Sequence, residues 1–155
     1  MSFRIPVAEG EESIHYSIDP SSATASLGMT NHIMDIYTET ILDHYQNPHH
    51  AGALANPTIK TAGDNPLCGD KISLELMIKN GIMEDLGFVG TGCAISQAAM
   101  SLLADEIQGK KISTLKKLTP AKVYDLLRVP ISPGRVKCAM LGFATLQKAL
   151  KLIKK

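Results

Sequence analysis

The stretch KISLELMIKNGIMEDLGFVGTGCAIS, residues 71–96, changes its hydrophobic period once, and that change organises the chain. Ile72, Leu74, Leu76 and Ile78 alternate with Lys71, Ser73, Glu75 and Met77, the pattern of a strand with one face buried. Asn80-Gly81 follows, a two-residue hairpin turn in which both positions tolerate positive φ. IMEDLGFVG then returns as the partner strand and runs into Gly90-Thr91-Gly92-Cys93. From Ile95 the period is helical, with Ile95, Ala98 or Ala99, Leu102, Leu103 and Ile107 on one face until Gly109 stops it. An antiparallel hairpin feeding a helix predicts an α+β domain with its helices gathered on one sheet face.

Outward from that hairpin, Ile33, Ile36, Tyr37, Ile41 and His44 or Tyr45 recur at helical spacing. Thr30 or Asn31 is the candidate cap of this first helix, and Asn47-Pro48 its end. Residues 49–70 are rich in Gly, Pro, Asn and Ala, with room for one short strand near Ile59. Downstream, Thr119-Pro120 opens a short helix through Leu127, and a last helix carries Leu141, Leu146, Leu150 and Ile153. The expected organisation is an N-terminal arm over residues 1–30 and one domain over 31–155. FRIPV and SIHYSI could each form a short strand in the arm, and Asp19-Pro20-Ser21-Ser22 a turn. Disorder until bound and a strap laid over a partner fit the arm equally well.

The composition narrows the function. Of the 155 residues 45% are hydrophobic and 20% charged, enough apolar material for one sizeable core. Lysine and arginine number 16 against 15 acids, a net charge of +1 that offers no broad basic field for nucleic acid. Tryptophan is absent and aromatic residues make up 5%, which leaves few stacking platforms for single-stranded bases. The first thirty residues hold no apolar core behind a basic head, and no apolar run is long enough to span a bilayer. Three cysteines are too few for a disulfide scaffold. A cytoplasmic protein with reduced thiols is the expectation.

Each cysteine sits at an element boundary with glycine nearby: Cys68 in NPLCGD, Cys93 in GTGCAIS and Cys138 in GRVKCAM. Backbone N–H groups at a helix start favour a thiolate, and such a thiolate can bind metal or attack a disulfide. Asp70, two positions after Cys68, adds an oxygen ligand. Three thiolates and a carboxylate could close a tetrahedral zinc site or hold the two irons of a small cluster. Against this stands the ordinary fate of free cysteine, burial as a small hydrophobe, and the spacings match no zinc-finger pattern.

NPLCGD, GTGCAIS and KCAMLGFATLQKAL, preceded by IYTETILDHYQNPHHAG, resemble the U-type iron–sulfur cluster scaffold proteins, the IscU, SufU and NifU N-terminal-domain family. The resemblance runs from Met34 to about Leu152. It implies a three-stranded antiparallel sheet with helices packed on one side, and makes the segment near Ile59 the third strand. It also implies a scaffold rather than an enzyme. Such a scaffold takes sulfur from a cysteine desulfurase and iron from an iron donor, builds a transient [2Fe-2S] cluster and passes it to apo iron–sulfur acceptor proteins. The alternative within the family is a zinc-bound sulfur acceptor that activates the desulfurase. By resemblance the ligands are Cys68, Asp70, Cys93 and Cys138, for cluster or zinc alike, and a homodimer is compatible with it.

Two departures accompany the match. Lys137 precedes the third cysteine, where the IscU branch has histidine, and residues 129–137 read VPISPGRVK in place of the L-P-P-V-K chaperone motif. An Hsp70-type chaperone is therefore not carried over as a partner. SufU-like proteins share the lysine and the GC-x-I-S spacing, yet carry an insertion between the second and third cysteines that this chain lacks. Lys137 is the candidate to offset the negative charge of the thiolates or cluster. Cys138 is the expected persulfide acceptor, because an exposed Pro133-Gly134 loop precedes it and helix N–H groups would lower its pKa; Cys68 is its competitor. Cys93, directly after a strand, is expected to be less accessible. His49 and His50 are secondary candidates as metal ligands, His44 reads as a packed or surface histidine, and His15 and His32 carry less still.

Overall fold

The computed structural model describes residues 27–153, with side-chain surroundings from residue 36 onward. Most of the arm expected over residues 1–30 lies outside the described residues, as do its two candidate strands, its turn and His15. Helix α1 spans Leu27–Gln46 and so begins ahead of Asn31. Thr30 and Asn31 lie within it and are not its caps. Once a helix is nucleated, each added residue gains a backbone bond at little cost, so a polar cap candidate need not stop it.

Strands β1 (Ile59–Asn65), β2 (Asp70–Lys79) and β3 (Ile82–Thr91) form one antiparallel sheet in the order β1-β2-β3. The β2–β3 turn is made as the sequence predicts: Asn80 and Gly81 both take positive φ, 51° and 73°. A register shift at Met77/Ile78 lies just before it. The β1–β2 connection is also a tight hairpin. Asn65 pairs with Asp70, and the N–H groups of Cys68 and Gly69 both donate to the Asn65 carbonyl. NPLCGD is therefore a loop between two strands, with Cys68 near its tip.

One sheet face carries Ile72, Leu74, Leu76, Leu86 and Phe88, all buried. Helices α2 (Ala94–Ile107) and α5 (Val136–Leu152) cover it with Met100, Leu103, Ile107, Leu146 and Leu150. The short α3 (Ile112–Leu115) adds Leu115 to the same core. A second cluster joins α1, α2, α4 (Pro120–Leu127) and α5 through Ile41, Ala98, Ala99, Val123, Leu127 and Ala139. Helix α2 is thus sandwiched, and buries more than the single face its period suggests. In α1, by contrast, Ile36 and Tyr45 are exposed, and Ile41 and His44 make the inward face. Thr119 stands at the α4 cap position in extended conformation without a side-chain cap bond, and Pro120 follows as expected.

On the other sheet face, Glu75 is buried under the segment that leads into β1. Its carboxylate accepts the Leu54 N–H at 2.7 Å and pairs with Lys60 at 2.7 Å. Among the described residues no helix is long and apolar enough to cross a membrane.

Candidate metal and cluster centre

Four elements bring the candidate ligands to one end of the sheet. The β1–β2 hairpin supplies Cys68 and, as the first residue of β2, Asp70. Cys93 is the N-cap of α2, immediately after β3, and Cys138 lies in the first turn of α5. The Cys138 thiol donates to Cys68 Sγ at 3.2 Å. One ligand atom each from Cys68, Asp70 and Cys138 lies within 4.8 Å of the others. Cys93 is tied in from its own side: its N–H donates to Asp70 Oδ1 at 2.9 Å, and its thiol and that of Cys138 shift each other's pKa.

The local sequence explains this closeness. At Gly92 an added Cβ would run into Asp70 Oδ1 and would stand 2.6 Å from Ser96 Oγ, so only hydrogen fits there. Ser96 donates its hydroxyl to the Cys93 carbonyl at 3.0 Å, within the first turn of α2. Asn65, at the end of β1, donates its side-chain N–H to Cys138 Sγ at 3.6 Å. Neither Asn65 nor Ser96 is singled out by the sequence. Position three residues after Cys93 is the local signal for Ser96, whereas Asn65 reaches Cys138 across 73 residues and has no local signal.

Two expectations about the cysteines need correction. Cys138 is 0% exposed, whereas Cys68 is exposed and Cys93 intermediate. The 3₁₀ turn Pro133–Arg135 and α5 begin before Cys138, so the cysteine falls on the inward side of a helical turn and not on the open loop. Its pKa is not lowered either. Burial first, then hydrogen bonding to Asp70, Cys68 and Cys93, pushes the Cys138 thiol far up. Burial also pushes Cys93 up, but the Ser96 N–H and hydroxyl and the Cys138 thiol outweigh it, and the net displacement is downward. Cys93 is therefore the more accessible and the more acidic of the pair.

The donor set fits a soft metal or a cluster. Asp70 is 1% exposed, its Oδ1 is used by Cys93, and its Oδ2 is buried without a partner. An orphaned carboxylate oxygen among thiols is costly unless a cation or a proton meets it. Three soft thiolates with one hard carboxylate would hold zinc or iron, with the carboxylate as the weaker ligand. Lys137 is exposed and lines a shallow cleft with Asn65, Pro66, Leu67 and Met140 at the edge of the centre. Leu67, beside Cys68, is 74% exposed. Away from this centre, His44, His49 and His50 gather with Asp105 on α2.

Comparisons with known proteins identify the family. The NifU-like N terminal domain family matches residues 36–155. The zinc-dependent sulfurtransferase SufU of Bacillus subtilis is 36% identical over 132 residues, covering 74% of this chain and 89% of its own. The iron–sulfur cluster assembly scaffold protein IscU of Thermotoga maritima is 34% identical over 134 residues, covering 76% of this chain and 94% of its own. A crystal structure assigned as an iron–sulfur cluster assembly scaffold protein for the SUF system of Fervidobacterium islandicum AW-1 superposes with a TM-score of 0.59 at 28% identity, over 75% of this chain and 97% of that one. With the sheet, the flanking helices and the match over most of its length, this chain belongs to the NifU-like N-terminal domain family.

Proposed function

We propose that this protein is an iron–sulfur cluster assembly scaffold. Sulfur arrives from a cysteine desulfurase, iron from a donor, and the [2Fe-2S] product is handed to apo-proteins in the cytoplasm. The observation that carries the reading is the meeting of Cys68, Asp70 and Cys138 within 4.8 Å, around a buried carboxylate oxygen that has no partner. Cys93 completes the set. Thiolates give the iron a soft, tight hold, and Asp70 is the hard ligand through which the cargo can leave. Lys137 at the rim supplies positive charge toward a centre whose ligands carry more negative charge than a cluster core neutralises.

Cys68 is the thiol that a desulfurase can reach. It is exposed, and its sulfur is 3.2 Å from that of Cys138. We assign it the first persulfide, with Cys138 as the thiol to which the sulfur atom then passes. In that step the Cys138 sulfur bonds to the outer sulfur as the Cys68 sulfur–sulfur bond breaks, and the Cys138 proton passes to the departing Cys68 sulfur, to which it is already hydrogen-bonded.

The same exposed Cys68 supports the second reading, a zinc-bound sulfur acceptor like the Bacillus relative. Anaerobic reconstitution of the purified chain with ferrous iron and sulfide separates the two. A scaffold gains the visible [2Fe-2S] spectrum, and a zinc-locked acceptor keeps its zinc and stays colourless.

A further inference from the structure

From the geometry we infer a second metal site, for a divalent first-row transition ion, built from His44, His49 and Asp105, with His50 hydrogen-bonded to the same carboxylate. One ring nitrogen each from His44 and His49 and one carboxylate oxygen of Asp105 lie within 4.8 Å of one another. Ligands held about 2.0–2.2 Å from one ion need separations of only this order, so small rotations close the set. Two imidazoles and a carboxylate are a donor set suited to zinc, ferrous iron or cobalt.

The surroundings hold these groups in place. Ser101 on α2 is fully buried, and its hydroxyl is hydrogen-bonded to His44 Nδ1 at 2.7 Å. The same hydroxyl accepts the His49 backbone N–H at 2.8 Å, so one side chain fixes the end of α1 and the loop after it. Asp105, one helical turn further along α2, meets His49 Nδ1 at 2.7 Å through one oxygen and His50 Nε2 at 3.2 Å through the other. The His44 and His49 rings lie 4.5 Å apart with their planes at 56°, which is not a stacked pair. The inner ligand is buried, while the His49 and Asp105 side chains are 50% and 40% exposed. One side is thus rigid, and the other is open for an ion to come and go. At 1.5 Å per residue along α2, Asp105 stands roughly 18 Å from Cys93, so this site is separate from the thiol centre.

A simple staple of α1 to α2 would need one histidine and one acceptor. Here two imidazoles share one carboxylate and the buried His44 ring stands within reach of the same group, which exceeds that need, and an ion is the partner that uses His44, His49 and Asp105 together.

Anaerobic titration of the full chain with Co²⁺ reads both sites at once. The thiol centre gives intense sulfur-to-cobalt charge transfer, and a nitrogen–oxygen site gives only weak ligand-field bands. The expected result is two Co²⁺ per chain, one of each kind, with His49→Asn and Asp105→Asn each losing only the ion without charge transfer. Retention of the charge-transfer ion in those variants shows that they are folded. Zinc titration of the unsubstituted chain gives an independent reading, because the His49 and His50 ring proton resonances should shift with the second equivalent. A single Co²⁺ per chain, a second ion kept at unchanged affinity in both variants, or ring resonances that stay still through the second equivalent would overturn the assignment.

Discussion

The sulfurs of Cys68 and Cys138 are 3.2 Å apart, yet one belongs to an exposed residue and the other to a residue with no exposure at all. The pair spans the boundary between solvent and core. Sulfur arriving from outside meets Cys68 first, and the distance to Cys138 is one a persulfide can cross without movement of the backbone. After turnover with desulfurase and cysteine in the absence of reductant, mass spectrometry should find persulfide on Cys68. Cys138→Ser should keep that label at full level, and Cys68→Ser should reduce total labelling to background. Full labelling of Cys138 in the Cys68→Ser protein would show that the buried thiol is reached directly.

Asp70 is the one hard ligand in the set, and its Oδ2 is buried without a hydrogen-bond partner. Asp70→Ala should leave a more tightly held cluster, because the weak point through which an acceptor thiol exchanges is gone. Stopped-flow transfer to an apo ferredoxin should be slower than with the unsubstituted protein. Transfer at an equal or higher rate would remove Asp70 from the release step.

Gly92 leaves no space for a side chain between Asp70 and Ser96. Gly92→Ala should cost about 1–3 kcal/mol, as overpacking of tight sites does. At roughly 2–4 °C per kcal/mol for a chain of this size, calorimetry will resolve the loss. The added methyl group also displaces Asp70 Oδ1 from the Cys93 N–H, so zinc affinity should fall together with the melting temperature. Unchanged zinc affinity would mean that this contact does not set the ligand geometry.

Glu75 gives a pH dependence. The hydrogen bond from Lys60, then that from the Leu54 N–H, holds its carboxyl below the ordinary value of 4.5, against a smaller opposing effect of burial. A carboxyl with a lowered folded pKa stabilises the fold fully above its unfolded value. That contribution is lost as pH falls from about 4.5 through the lower folded value. Glu75→Gln should flatten this acid limb in denaturant melts taken across the window. A limb of unchanged steepness would assign it to other carboxylates.

Much of the fold was legible because its signals are local. Ile72 to Ile78 alternate, Asn80-Gly81 turns, and Thr119-Pro120 starts a helix whatever surrounds it. The one-sided packing of helices on the sheet follows from those elements. The accessibility of the cysteines was not legible, because it depends on contacts between distant segments. Cys138 is buried because α5 starts at Val136 and its first turn packs beside the β1–β2 hairpin, a placement set by Asn65 and Cys68 across some seventy residues of chain. The exposure of Ile36 was hidden for the same reason: the period marks an apolar stripe on α1, and the packing against α2 decides which part of it is covered.

The central claim is that the thiol centre assembles a cluster and gives it up. The direct measurement loads the purified protein anaerobically with iron and sulfide, removes the excess, adds an apo ferredoxin, and follows the visible circular dichroism of each partner. The account predicts a [2Fe-2S] signal on this chain that decays as the ferredoxin signal grows in equal amount. A chain that retains zinc, forms no cluster signal and still accepts persulfide from the desulfurase would contradict it.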